Sequence, residues 1–115
     1  MANAEHLKIL QQGIGPWNDW RRNEASIIPN LADADLTGAA LAGADFGSAV
    51  MVRAKLSKAN LTHTQFHSAN LGAANLAGAD LRFAALSGAH LAQAILVRAN
   101  LEGAMLHGAN LTSAD

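Results

Sequence analysis

Large apolar side chains recur at every fifth position from residue 31 to residue 111, without one loss of register. These 17 positions hold Leu fourteen times, and the other three are Phe46, Met51 and Phe66. Two residues before each of positions 36 to 111, and at residue 114, stands a small side chain, which is Ala at sixteen of 17 positions and Thr64 at the other. The positions that follow the large residue are mostly small or polar. The pattern therefore separates one large and one small inward position from the outward ones.

A period of five fits neither a helix nor one long strand. A step of five residues turns a side chain by about 140° round a helix, so the leucines would spiral instead of forming a stripe. Along a strand, an odd step places successive side chains on opposite faces. All central residues can face one interior only if the chain turns a corner in each repeat. Short repeats of this kind bury their apolar faces by stacking, which predicts an all-β solenoid.

Three segments show the motif well: Ala-Asp-Leu-Thr-Gly at 34–38, Ala-Asn-Leu-Gly-Ala at 69–73 and Ala-Asn-Leu-Glu-Gly at 99–103. They resemble the pentapeptide-repeat family, over about three quarters of the chain. The resemblance implies a right-handed quadrilateral β-helix in which four repeats form one square coil and residue n stacks on residue n+20. The 17 repeats would give about four coils, and we divide the chain into residues 1–29 and the repeat domain 30–115.

The 20-residue spacing predicts which side chains share a column. Phe46 and Phe66 should stack inside the solenoid. The residues expected in the core are Phe46, Met51, Phe66, Leu71, Leu81 and Leu91.

Outside the solenoid, opposite charges one coil apart predict two pairs, Arg82 with Glu102 and Asp35 with Lys55. Asn60, Asp80 and Asn100 should form a polar ladder. Gly residues two places after the central Leu are expected beside corners, where permissive backbone angles help.

Residues 1–29 follow a different pattern, which predicts an α-helical cap. Asn3 is a suitable N-cap residue. Pro16 should break the helix and open a second short helix that ends near Asn23. A first coil exposes its apolar interior, and four residues are predicted to cover it: Leu10, Ile14, Trp17 and Trp20. A helical leader precedes the repeats in some bacterial members of the family that this chain resembles.

The last repeat stops at Ala114 and Asp115 with no capping helix after it. We expect either a fragment of a longer protein or a last coil covered by a second copy. Members of the family that the chain resembles dimerise through terminal coils, so a homodimer through the C-terminal coil is predicted.

Composition and charge exclude several classes of protein. The net charge is −1 and there is no Cys, so neither a strong electrostatic partner nor a disulfide framework is expected. We find no signal peptide and no apolar run long enough to span a membrane, which predicts a cytoplasmic protein without a membrane partner. The basic residues Arg53, Lys55 and Lys58 read as a solvated face, so no nucleic-acid partner is expected.

No group of residues has the pattern of a catalytic or metal site. His63 and His67 have a spacing that holds a metal on a helix, but here it crosses a corner of the coil. The serines have no His and carboxylate partners in stacking positions. We therefore predict no enzyme activity, no cofactor and no metal.

The leading functional hypothesis is a non-enzymatic structural or protein-interaction module with an unidentified protein partner. The candidate interaction surface consists of three outward apolar residues, Ile95, Val97 and Met105, which we expect on neighbouring walls near the C-terminal end. The alternative comes from the resemblance: some members of the family confer quinolone resistance by mimicking DNA and regulating DNA gyrase. That activity implies an acidic rod, whereas residues 31–115 carry six acidic and five basic side chains.

Overall fold

The computed structural model describes all residues from 1 to 115. Two helices open the chain: α1 spans Ala4–Gln11 and α2 spans Ile14–Asn23. Neither helix is long and apolar enough to cross a membrane. The repeats follow from residue 30 onward.

The predicted cap and break of the helical segment are confirmed. The side-chain oxygen of Asn3 accepts the backbone N–H groups of Glu5 and His6, at 2.9 and 3.2 Å. The chain then leaves the helix at Gly13, whose φ of 120° is available to glycine at little cost. Pro16 lies in the first turn of α2, where its missing N–H would have no helical partner in any case.

The repeats contain no continuous strand and pair instead through 13 isolated parallel bridges. Each bridge joins the residue before a central residue to the equivalent residue 20 positions later, from Asn30 with Val50 to His90 with Asn110. The 20-residue register is therefore confirmed.

We number four walls by the central residues that stack in them. They are the first wall (31, 51, 71, 91, 111), the second (36, 56, 76, 96), the third (41, 61, 81, 101) and the fourth (46, 66, 86, 106).

Every repeat turns at the second residue after its central one. All 17 residues at this position have positive φ, and only six of them are glycine. The other eleven include large side chains such as Arg53 and Phe83, with φ of 57° and 60°. A hydrogen bond closes each turn, from the N–H of the next inward residue to the central carbonyl, as from Ala34 to Leu31 at 3.1 Å. The sequence predicted the glycine corners but not the left-handed backbone at the other eleven.

The inward Leu and Ala side chains form one continuous core. Phe46 and Phe66 stack within it, with ring centroids 5.4 Å apart and planes 23° from parallel, so the predicted column is confirmed. Thr64 replaces Ala without leaving a polar atom unpaired, because its hydroxyl donates to the Leu61 carbonyl at 2.6 Å. Burial falls in the last coil, where Leu111 is 41% exposed.

The predicted outer charge pairs form differently. Arg82 binds Asp80 of its own repeat through two hydrogen bonds of 2.8 and 2.7 Å, and not Glu102. Asp35 accepts hydrogen bonds from Thr37 and makes no ion pair with Lys55. Residues two apart in an extended segment share one face, so a partner within the repeat can compete with the one in the next coil.

The stacked ion pair that does form joins Asp33 to Arg53, with two bonds of 2.8 and 3.1 Å. Both residues stand at the left-handed corner position, one coil apart.

The expected polar ladder of Asn60, Asp80 and Asn100 is replaced by local turns. Each side-chain oxygen accepts the N–H two residues later in its own repeat, at 3.1 to 3.2 Å. Nine repeats use an Asn or Asp in this way: the residues are Asn30, Asp35, Asp45, Asn60, Asn70, Asn75, Asp80, Asn100 and Asn110. The Asn or Asp of the motif therefore shapes the turn of its own repeat.

Candidate interaction surfaces

The residues expected in the interior and in the cap lie on the inside of the molecule. Five of the six expected core residues are fully buried and the sixth, Leu91, is 1% exposed; the set is Phe46, Met51, Phe66, Leu71, Leu81 and Leu91. In the cap, Trp17 is fully buried and Leu10 is 4% exposed, whereas Ile14 and Trp20 are half-buried. The core residues, Trp17 and Leu10 are therefore not available to a partner.

A run of aromatic rings joins the cap to the solenoid. Successive ring centroids lie 4.9 Å apart from His6 to Trp20, 5.1 Å from Trp20 to Trp17 and 5.7 Å from Trp17 to Phe46. Phe46 in turn stacks on Phe66. Tilted aromatic contacts at these distances add to the energy of burial. This column fixes α2 on the open end of the fourth wall.

The edge of the first coil is closed by polar side chains of α2 that the sequence analysis missed. Asn18 donates to the Gly43 carbonyl at 3.0 Å and accepts the Asp45 N–H at 2.9 Å. Its side-chain amide therefore makes the two hydrogen bonds that a neighbouring strand would otherwise make. The Trp17 indole N–H donates to the Asp45 carbonyl at 2.8 Å, and Arg21 donates to the Gly47 carbonyl at 2.6 Å. Positions 17, 18 and 21 face one side of a helix, which is the signal that could have indicated this role.

His6 closes the neighbouring edge. Its Nδ1 accepts the N–H of Asn30 at 3.0 Å, while the N–H of Asn3 donates to the Asn30 carbonyl at 2.9 Å. Burial lowers the pKa of His6, and Glu5 opposes this shift in part. The ring must be neutral at Nδ1 to accept the bond. Protonation of His6 at Nδ1 would therefore remove one of the hydrogen bonds that hold the cap.

The N-terminal corner of the first wall carries a small charge network. Asp33 receives two hydrogen bonds from Arg53 and one from the terminal amine of Met1 at 3.1 Å. These donors lower the pKa of Asp33 to about 2, with the Arg53 hydrogen bond as the largest cause. Asp33 is shared by both cations, so each of them has an ion-pair partner within the chain.

The histidines of the repeats lie apart. His63 stacks on Phe83 with centroids 5.2 Å apart, whereas the His67 ring lies over Gly47. No group of three or more His, Cys, Asp or Glu side chains is placed to hold a metal ion.

The three residues of the predicted apolar surface are all exposed, at 39% for Ile95, 45% for Val97 and 56% for Met105. They do not form one patch. Ile95 and Val97 belong to the second wall, but Met105 lies ten residues after Ile95, which is half of a 20-residue coil. Met105 therefore belongs to the opposite, fourth wall, and the expectation of neighbouring walls was wrong.

The second wall holds a groove of about 360 Å³ beside Val97. Its lining residues are Ser57, Lys58, Asn75, Ala77, Gly78, Val97 and Arg98. The groove exists because Gly78 stands between Lys58 and Arg98 in one outer column. A Cβ added at Gly78 would contact only the Cγ of Lys58, at 3.6 Å, so space is open where a side chain would be.

The groove is lined by two cations that make no ion pair. Four of the five arginines make ion pairs: Arg21, Arg22, Arg53 and Arg82. Arg98 makes none, and neither does Lys58. No acidic residue lines the groove. The second wall thus combines two exposed apolar side chains with three cations that make no ion pair, Lys55, Lys58 and Arg98, and the last two line the groove.

Comparisons with known proteins agree on the repeat. The family model for pentapeptide repeats matches in eight copies, over residues 30–71, 64–94 and 84–115. No curated protein matches the chain. Among solved structures, HetL, a pentapeptide-repeat protein involved in heterocyst differentiation regulation in the cyanobacterium Nostoc sp. strain PCC 7120, is 36% identical, with a TM-score of 0.37. That match covers 76% of this chain and 46% of HetL.

Two further structures are similar. Rfr23 from the cyanobacterium Cyanothece 51142 is 36% identical over 76% of this chain and 60% of its own, with a TM-score of 0.37. The protein alr5209 from Nostoc PCC 7120 is 27% identical over 81% of this chain and 93% of its own, with a TM-score of 0.43. This chain therefore spans about half to three fifths of the length of HetL and Rfr23. The family model covers residues 30 to 115, and on that match the chain belongs to the pentapeptide-repeat family, whose members fold as β-helices.

Proposed function

We propose that this chain is a non-enzymatic interaction module whose second wall binds a protein partner. In this proposal the repeats wind into a right-handed quadrilateral solenoid of slightly more than four coils, at four repeats per coil. Pentapeptide-repeat proteins are generally non-enzymatic structural or interaction proteins, which supports the coarser part of the proposal. A flat-walled solenoid offers an outer surface for contact and no deep cleft for chemistry.

The observation that carries the proposal is the combination on one wall of exposed Ile95 and Val97 with unpaired Lys58 and Arg98. Apolar side chains supply the buried area of an interface, and charges around them select the partner and its orientation. The complementary partner is therefore a protein segment that carries both apolar and acidic side chains. Cations on this wall do not favour the gyrase-regulator hypothesis, which needs an acidic surface.

A matched pair of variants tests this role. Val97 and Val52 stand at the same position of their repeats, on the second and first walls. We expect Val97→Asp to abolish capture of the partner that the unmodified protein retains, because it places a negative charge against an acidic segment. Val52→Asp should leave capture unchanged. Quantitative mass spectrometry of the captured proteins gives the result, and equal capture by Val97→Asp and the unmodified protein would refute the proposal.

We also propose that the last coil pairs with a second copy of the chain. The backbone N–H groups of Leu101, Leu106 and Leu111 have no partner, whereas the same groups one coil earlier donate to the next coil. Such an edge is a template for another strand. Leu111 adds an apolar side chain that is 41% exposed.

Light scattering distinguishes the monomer from the dimer. We expect twice the monomer mass of 11.9 kDa, and we expect Leu111→Glu to return the monomer because it charges the end of the core. Thr112→Glu, one residue later and outward, serves as the control. A monomer at high protein concentration would contradict the pairing and would leave the second-wall proposal intact.

A further inference from the structure

The groove on the second wall has the composition of a binding site for a small oxyanion. Four of its seven lining residues present hydrogen-bond donors, and two of these, Lys58 and Arg98, are cations. Asn75 uses its side-chain oxygen to accept the Ala77 N–H, at 3.0 Å, which leaves its amide nitrogen free to donate. Ser57 contributes a hydroxyl. The lining contains no carboxylate that would compete for these donors.

The two cations can reach the same ligand. Lys58 and Arg98 occupy one column, two coils apart, which is about 9.6 Å at the usual strand spacing. Gly78 lies between them and has no side chain to separate them. A Lys ammonium and an Arg guanidinium on flexible stems can therefore converge above Gly78. The planar fork of Arg98 suits two oxygens of one ligand, and Lys58 acts as a point charge on a third.

We propose that this groove receives the phosphoryl group of a phosphorylated serine or threonine on the protein partner. The inference rests on the proposed role of the second wall. A phosphoryl group offers three charged acceptor oxygens, which matches donors arriving from opposite sides better than the two oxygens of a carboxylate. Val97 continues the groove, so an apolar residue beside the phosphorylated one packs there.

The proposal is tested by NMR titration of the ¹⁵N-labelled full chain at constant ionic strength. The probes are inorganic phosphate, acetate, ribose 5-phosphate and N-acetyl-O-phosphoserine methylamide. We expect phosphate and the phosphoserine amide to shift the amide signals of Gly78 and Ala77, with acetate binding at least about tenfold more weakly. Equal binding of acetate would overturn the proposal, and tighter binding of ribose 5-phosphate than of phosphoserine would replace it with a small-molecule site.

Three variants distinguish phosphate binding in the groove from nonspecific attraction to the positive charge of the second wall. Lys58→Ala combined with Arg98→Ala should weaken phosphate binding by at least about tenfold. Lys55→Ala, which removes an unpaired cation of the same wall outside the groove, should have little effect. Gly78→Phe fills the groove and keeps both cations, and the chain already holds Phe83 at the equivalent corner position.

We expect Gly78→Phe to lose phosphate binding. Retained binding in this variant, or an equal loss in Lys55→Ala, would contradict the groove. Either result can occur while Val97→Asp still abolishes capture of the partner, so the two proposals fail separately.

Discussion

At the scale of single residues, the repeat is set by two local devices. In nine repeats, an Asn or Asp before the central residue accepts a hydrogen bond from the backbone N–H two residues later. In every repeat, a residue of positive φ then turns the corner. The second device places large side chains in an unfavourable region of backbone space. Burial of one Leu and one Ala per repeat offsets this cost. The positions of the glycines in the repeat predicted six of these corners. The other eleven could not be predicted, because their strained conformation is visible only in the backbone angles.

His6 is the residue whose charge state should affect folding. Its pKa is lowered in the folded chain, so the folded state disfavours the charged ring relative to the unfolded value of 6.5. The unfolded chain therefore binds more protons, and stability is present above about pH 6.5 and is lost as the pH falls through the lower folded value.

We expect the free energy of unfolding of the unmodified chain to fall more between about pH 7 and pH 5 than that of His6→Asn. The Asn oxygen can still accept the Asn30 N–H and does not titrate. The other four histidines are common to both proteins and cancel in the difference. Urea unfolding at a series of pH values measures it, and parallel curves for the two proteins would contradict the role of His6.

At the scale of elements, α2 closes the solenoid with both apolar and polar contacts. The apolar half was predictable, because Trp17 and Leu10 follow helical spacing and had no other core to enter. The polar half was not, since the partners of Asn18 and Arg21 are backbone groups whose positions depend on how the helix sits on the first coil. The register of the walls was predictable for the opposite reason, because a strict period leaves no choice of partner. For the outer charges, the register predicted which residues stack one coil apart, but it did not predict that Arg82 and Asp35 would choose partners within their own repeats.

Replacing Asn18 tests the closure of the edge. Asn18→Ala leaves the Asp45 N–H and the Gly43 carbonyl without partners, and we expect a loss of about 1–3 kcal/mol in the free energy of unfolding. Asp19→Ala removes only an exposed ion pair with Arg22 and should cost at most about 1 kcal/mol. Thermal and urea unfolding of the two variants gives the comparison, and equal losses would argue against the edge role of Asn18.

At the scale of the whole molecule, burial and pairing are complete in the middle and incomplete in the last coil. Each coil of a solenoid contacts only its neighbours, so a side chain near an end is supported from one side. Leu81 is fully buried between two coils, whereas Leu111 is 41% exposed.

This gradient predicts unequal costs for the same substitution. Leu81→Ala should destabilise the fold by about 2–5 kcal/mol, because it leaves a cavity between coils. Leu111→Ala should cost less than about 1 kcal/mol in the monomer, because much of the side chain already meets water. Denaturant unfolding at low protein concentration measures both. Similar costs at the two positions would show that the core is not stacked as described.

The role of the second wall is tested most directly by site-specific photo-crosslinking around a single coil. The residue after the central one faces outward in four successive repeats, so one coil offers one position on each wall. The four positions are Ala92, Val97, Glu102 and His107. With a benzoylphenylalanine placed at each in turn, we predict that the partner crosslinks at Val97 and little at the other three. Equal crosslinking on all four walls, or a maximum on a wall other than the second, would contradict the account.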